Sequence, residues 1–209
     1  QYSFGTGAYA FGTSDVPKGL AGSSYFMLNI QYPGSQVRQV GIANRNYYLS
    51  PLSGDVFFIG WPPQIFAPSS DEPENLYLYR NGMCILLEKD IHNTYGRPFS
   101  VSSNGRYVAF RTQLPNSHDS GIYLLDTLTM QKTLLPVPYF EQVDSRFPLG
   151  ISNDGTLVYF SSNYKSDSYW STIAYVQNTE DASTTFLTQD VYGSNIPGNI
   201  TPLKRYVAE

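Results

Sequence analysis

The sequence has little of what catalysis and charge-driven binding draw on. Its single cysteine, Cys84, excludes an internal disulfide and any multi-cysteine metal site. Only two histidines are present, His92 and His118. Charged residues make up 14% of the 209 residues, against about a quarter in an ordinary soluble domain. The net charge is −4, so there is no electrostatic footprint for nucleic acid or an anionic membrane surface. No apolar run approaches the roughly 18 residues of a membrane span, and membrane insertion is not expected. A coiled coil, an acidic disordered tail and a charged helical bundle are excluded on the same grounds. What the chain does have is aromatics, at 15%, with 18 Tyr and 12 Phe. That is the composition of a β protein whose solubility rests on Ser, Thr, Asn, Gln and Tyr.

The most informative feature is an internal repeat. Val101-Ser102-Ser103-Asn104-Gly105-Arg106-Tyr107-Val108-Ala109-Phe110 matches Ile151-Ser152-Asn153-Asp154-Gly155-Thr156-Leu157-Val158-Tyr159-Phe160. A looser copy runs from Leu49 to Phe58, and a weaker one ends at Phe11. The closing aromatics Phe11, Phe58, Phe110 and Phe160 stand 47, 52 and 50 residues apart. Further strand signals follow in each copy, at 25–28, 76–79, 122–125 and 173–176, and then at 37–40, 84–87, 133–135 and 185–187. These are short β-branched and aromatic runs bounded by turn residues. No window sustains a capped helical period, so helix content should be near zero.

Four antiparallel strands per unit, repeated in tandem, predict an all-β fold, a β-propeller of about four blades of about 50 residues. The chain is expected to form one domain over 1–209. Its blades fall at about 1–46, 47–97, 98–147 and 148–198, and 199–209 forms a closing or exchanged strand. The turns 152–155 and 80–83 carry the Asn, Asp and Gly that tolerate positive φ in tight hairpins.

The motif Pro/Ser-x-Asp/Asn-Gly-Arg-Tyr-Val-Ala-Phe, followed by Ile-Tyr-Leu-Leu-Asp and Thr-Leu-Leu, resembles the TolB-like repeat, also called the WD40-like β-propeller repeat. The resemblance is strongest over 98–136 and 148–188, looser over 47–90 and weakest over 1–42. It implies a propeller, commonly periplasmic, extracellular or attached to a larger exported protein, and used for binding. The motif is a folding element in that family and brings no catalytic residue. Such propellers normally have six or more blades, so four full repeats depart from the pattern.

Meander topology sorts the loops onto two ends of the ring. Second-to-third and blade-to-blade connections are long in this sequence, at 60–74, 112–120, 161–170, 90–98 and 136–147. Long loops on a rigid ring are where binding resides. Their aromatics, Trp61, Phe66, Tyr95, Tyr139, Phe140, Tyr164, Tyr169 and Trp170, are candidates for contact with a protein or a glycan. Several of them folding back over the loops is the competing reading. Trp61, beside Pro62 and Pro63, and Trp170 are the first choices for exposed contacts.

Chemistry is hard to find. There is no Gly-x-Ser-x-Gly elbow and no triad partner for the histidines. Cys84 sits in an apolar strand as a small hydrophobe. Asp71-Glu72-Pro73-Glu74 reads as a solvated loop rather than a cation site, and no calcium-loop spacing is present. No metal, cofactor or catalytic residue is expected. Asn199-Ile200-Thr201 is a formal glycosylation sequon.

The expected function is therefore a non-catalytic propeller at the cell surface, in the periplasm or outside the cell. It would bind a protein partner or assemble with itself through the long-loop end. Ile200, Tyr206 and Val207 are the candidate strand-closure residues, and head-to-tail pairing through them would build an open oligomer. The alternatives are a gating propeller of a larger exported enzyme, such as a peptidase, and a glycan-binding propeller.

Overall fold

The computed structural model describes residues 5–14, 25–63, 74–91, 98–113, 120–135, 150–165, 170–181 and 183–192. Among these residues the secondary structure is all β, with no helix. The strands are β1 (Tyr9–Thr13), β2 (Phe26–Gln31), β3 (Arg38–Leu49), β4 (Val56–Trp61), β5 (Asn75–Arg80), β6 (Met83–Glu88) and β7 (Phe99–Val101). They continue with β8 (Tyr107–Gln113), β9 (Ser120–Asp126), β10 (Gln131–Leu134), β11 (Gly150–Ile151), β12 (Leu157–Lys165), β13 (Trp170–Asn178) and β14 (Thr184–Tyr192). Three sheets form, β1–β6, β7–β10 and β11–β14, each with its strands side by side in chain order. The pairings are antiparallel, as short hairpin connections require. At Asn81-Gly82, both residues have positive φ, 52° and 83°, the backbone a two-residue hairpin needs.

The second and third sheets are four-stranded and coincide with one sequence repeat each. The first differs from the expected separation at residues 46 and 47. There β3 runs from Arg38 to Leu49 without a loop and pairs with β2 on one side and β4 on the other. Ile42 lies between Met27 and Trp61 in this register. Residues 44–46 contain neither Gly nor Pro, and the chain absorbs them as an irregularity between Ala43 and Tyr47. Gly60 stands opposite at φ 152°, where a Cβ would lie 2.0 Å from the Ile42 carbonyl oxygen.

The strands bury apolar residues on both faces because the sheets stack. Phe58, Val56 and Tyr77 pack toward the first repeat, against Leu28, Ile30 and Val40. On the other face, Phe57, Ile59 and Leu78 pack toward the third repeat, against Val108 and Phe110. Ala109 and Ile122 then meet Val158 of the fourth repeat. This explains the near-continuous apolar runs in the sequence: a strand buried on two faces does not alternate.

Hydrophobic stacking is non-directional, and the turns supply the register. In each of three repeats, a serine amide closes the first hairpin: Ser50 onto Asp55, Ser102 onto Tyr107 and Ser152 onto Leu157, each at 2.9 Å. Successive turns are then bonded to one another. The Ser103 carbonyl accepts from Ser50 Oγ at 2.7 Å and from the Leu52 amide at 3.2 Å, and the Ser103 amide donates to Asn153 Oδ1 at 3.1 Å. Arg80 pairs with Asp55 at 2.8 Å and reaches Thr127 Oγ1 at 3.1 Å and the Gly105 carbonyl at 3.2 Å. The repeat glycine serves this contact as well as the turn. Gly155, at φ 79°, would place a Cβ 2.4 Å from the Tyr107 ring.

Replacing Gly155 with Ala combines a left-handed backbone with a clash against the preceding repeat, and should cost about 2–4 kcal/mol in denaturant unfolding. A loss below about 1 kcal/mol would mean that the turn does not nest. The Asp154 carboxylate accepts from Ser152 Oγ and from the Thr156 amide and hydroxyl. These bonds hold its pKa at about 2, with the Ser152 bond the largest cause. A pKa lowered on folding contributes stability above the unfolded value near 4. That contribution is lost as pH falls through about 2. Carboxyl NMR titration should find the low midpoint, and Asp154→Asn should flatten the acid limb of the stability curve.

Candidate binding site at the long-connection end

Antiparallel meanders bring chemically different connections to the two ends of the sheets. One end holds the short turns 50–55, 102–106 and 152–156 together with 81–82 and 127–130. The other holds the ends of β1, β4, β8 and β12 and the starts of β2, β5, β9 and β13.

Trp61 ends β4 at this second end, and the structure corrects its expected exposure. Its side chain is 2% exposed, packed with Ile42 and flanked by Tyr25 and Met27. Every residue of β4 is buried, and Trp61 is still paired with Ile42 of β3, so the indole is covered although Pro62 and Pro63 follow it directly. The Tyr25 ring lies 5.1 Å from the indole, centroid to centroid, tilted by 55°. The indole Nε1–H is buried and has no acceptor among the described residues.

Beside this pair sits a polar set. Tyr25 donates its hydroxyl to Glu74 Oε1, and Asn44 Nδ2 donates to Glu74 Oε2 at 2.7 Å. Asn44 is 3% exposed, and its Oδ1 accepts from the Asn46 amide at 2.7 Å. Three elements build the set: the residue before β2, the irregular stretch of β3 and the residue before β5. The break in β3 pairing between Ala43 and Tyr47 therefore has a use, because Asn44 lies within it. Burial, then the bond to Glu74 and its negative charge, raise the Tyr25 phenol well above its ordinary value. The phenol stays a hydrogen-bond donor, and Glu74 is held as a fixed acceptor by two neutral groups.

The sequence named Glu74 only as the end of an acidic run and missed Tyr25 and Asn44. The polar run Asn44-Arg45-Asn46, set between the apolar Ile42-Ala43 and Tyr47-Tyr48-Leu49, was the available signal. Tyr164 and Trp170, expected in a loop over 161–170, lie instead in β12 and β13, where Tyr164 pairs with Ser171 and Lys165 with Trp170. β12 and β13 reach into that segment, in register over nine paired positions. Phe66, Tyr95, Tyr139, Phe140, Tyr169, Ile200, Tyr206 and Val207 lie outside the described residues, as do His92 and His118.

Two further groups, a thiol and a guanidinium, have structural surroundings. Cys84 is partly buried against the first core cluster, its Sγ 3.2 Å from the Val40 carbonyl oxygen, and burial pushes its thiol up to about 11. Arg106 pairs with Asp126 at 2.9 Å within its own hairpin.

In a Trp170→Phe variant, iodide should quench the remaining Trp61 far less than free tryptophan. Quenching comparable to free tryptophan would contradict its burial. The Cys84 thiol should react with an aromatic disulfide reagent at pH 8 at least tenfold more slowly in the native protein than in urea.

No protein-family model matches the chain, and no curated protein matches its sequence. Solved structures do match. TolB from Acinetobacter baumannii superposes with a TM-score of 0.52 at 16% identity, over 89% of this chain and 42% of that one. The TolB-type protein of Agrobacterium tumefaciens gives 0.51 at 16% identity, over 82% of this chain and 60% of that one. The chain thus spans less than two thirds of the length of either. Its fold is that of the TolB-like β-propellers.

Proposed function

We propose that this chain is a non-catalytic propeller section of four-stranded blades, acting outside the cytoplasm, which binds a protein partner through its long-connection end. The observation that carries this is the unlikeness of the two ends. At the turn end, Ser50, Ser103, Asn153, Arg80 and Thr127 are bonded between neighbouring repeats. At the opposite end, a partly exposed carboxylate is held in place by Tyr25 and Asn44, beside connections long enough to shape a contact surface. Positioned polar groups on a rigid scaffold suit recognition.

A second observation favours self-assembly or completion by further repeats. The face of β1 opposite the core residue Ala10 carries Tyr9, 49% exposed, stacked on Phe11 at 5.5 Å. A stack of sheets covers such a face with another sheet. The cover can come from this chain's later repeats with 199–209 as the closing or exchanged strand, from further blades of a longer exported protein, or from a second copy head to tail.

Photo-cross-linking side chains placed at Pro63 and at Asn104 test the main reading in the cell envelope. A discrete adduct from Pro63 and none from Asn104 is expected. Adducts from Asn104 alone would reverse the assignment of the ends.

A further inference from the structure

β10 is the last strand of the second sheet, with β9 on its one paired side. Its four residues, Gln131–Leu134, are all exposed, and they pair with β9 without a shift in register. The matching edge of the first sheet, β6, is irregular against β5 between Leu76 and Tyr77 and has Leu87 buried. The edge strand of the third sheet, β14, is irregular against β13 between Ala174 and Tyr175. Bulges, prolines and free charges are what ordinarily keep an edge from pairing with another chain. β10 has no bulge and no proline. Its one charge, Lys132, is drawn back onto Glu88 at 2.7 Å and over the Tyr123 ring at 4.9 Å.

The register decides which backbone groups this edge offers. The Leu135 amide donates to the Ile122 carbonyl at 2.9 Å, and hydrogen-bonded pairs alternate along an antiparallel ladder. Thr133 and Gln131 therefore bond to their partners Leu124 and Asp126, while the amides and carbonyls of Lys132 and Leu134 point away from β9. We infer that this edge takes β10 of a second copy of the chain, antiparallel across a two-fold axis at Thr133. Lys132 of each copy then faces Leu134 of the other, and each such pair exchanges two hydrogen bonds. Thr133 meets its own copy, a favourable cross-strand contact. The neighbouring registers are obstructed. Centring on Lys132 sets two ammonium groups opposite each other and draws in Met130, whose φ of 58° ends the strand. Centring on Leu134 sets Lys132 against Pro136, which has no N–H to give. An unrelated extended segment could take the same backbone bonds, but β10 is complementary to itself in side chains as well. The pairing is isologous and closes at two copies, unlike head-to-tail assembly through 199–209. It uses an outer strand and stands independently of the protein-binding reading above.

A strand of four residues makes a small contact, so the dimer should be weak and form between about 10 μM and about 1 mM. Sedimentation equilibrium of the full chain over that range should show the mass rising toward a dimer and no further. Leu134→Pro removes an outward N–H and spares the bonds to β9, as an edge strand tolerates. It should weaken association at least tenfold with the unfolding midpoint nearly unchanged. In a Cys84→Ala background, Thr133→Cys should form a disulfide-linked dimer under mild oxidation at least tenfold faster than Gln131→Cys. In this register residue 131 lies about 14 Å from its copy, beyond the reach of a disulfide. The cysteine comparison does not depend on how well the proline variant folds. A monomer throughout the range, a mass climbing past the dimer, a folded Leu134→Pro chain that dimerises as well, or equal coupling at 131 and 133 would overturn the inference.

Discussion

Each repeat rests its first turn on the turn of the repeat beside it, and two of these contacts meet at the Ser103 carbonyl, which accepts from Ser50 Oγ and the Leu52 amide. Burial of Phe57, Ile59, Val108 and Phe110 between sheets supplies most of the driving force, since each such side chain contributes about 1.5–3 kcal/mol. That attraction alone leaves sheets free to slide over one another. The turn bonds remove the freedom, because a shift of even an ångström breaks them. Gly105 and Gly155 have no Cβ for the same reason: the neighbouring repeat, through Ser53 and Tyr107, occupies that space.

Locking at one end has a consequence for the other. With register fixed at the turns, the long-connection end can carry groups chosen for something besides stability. Asn44 is nearly fully buried in an irregular stretch, an expensive position for an amide unless its bonds are made. Its bonds go to Glu74 and Asn46. The result is an acceptor whose position is set by three segments distant in sequence, next to an indole with an idle donor.

Much of the fold was legible because both signals that specify it are local. The aromatic at Phe11, Phe58, Phe110 and Phe160 marks the second strand of each unit, and the Asn-Gly and Asp-Gly dipeptides mark the hairpins. What escaped was set by pairing across strands. Residues 44–46 look like a boundary between units, yet β3 continues because Ile42 is paired on both sides. Trp61 next to two prolines looks like loop, yet it is still paired with Ile42 of β3 and packed against it. The site was less legible than the fold. Tyr25, Asn44 and Glu74 come together through sheet topology, and no short motif joins them.

The turn-to-turn ladder is tested most directly by native-state hydrogen exchange at the Leu52 and Ser103 amides, which sit in turns but are bonded to the next repeat. Protection comparable to that of the Val108 amide in β8 is expected, with exchange requiring separation of whole repeats. Exchange of both amides at the rate of an exposed turn, with β8 still protected, would contradict the claim that these contacts fix how the sheets stack.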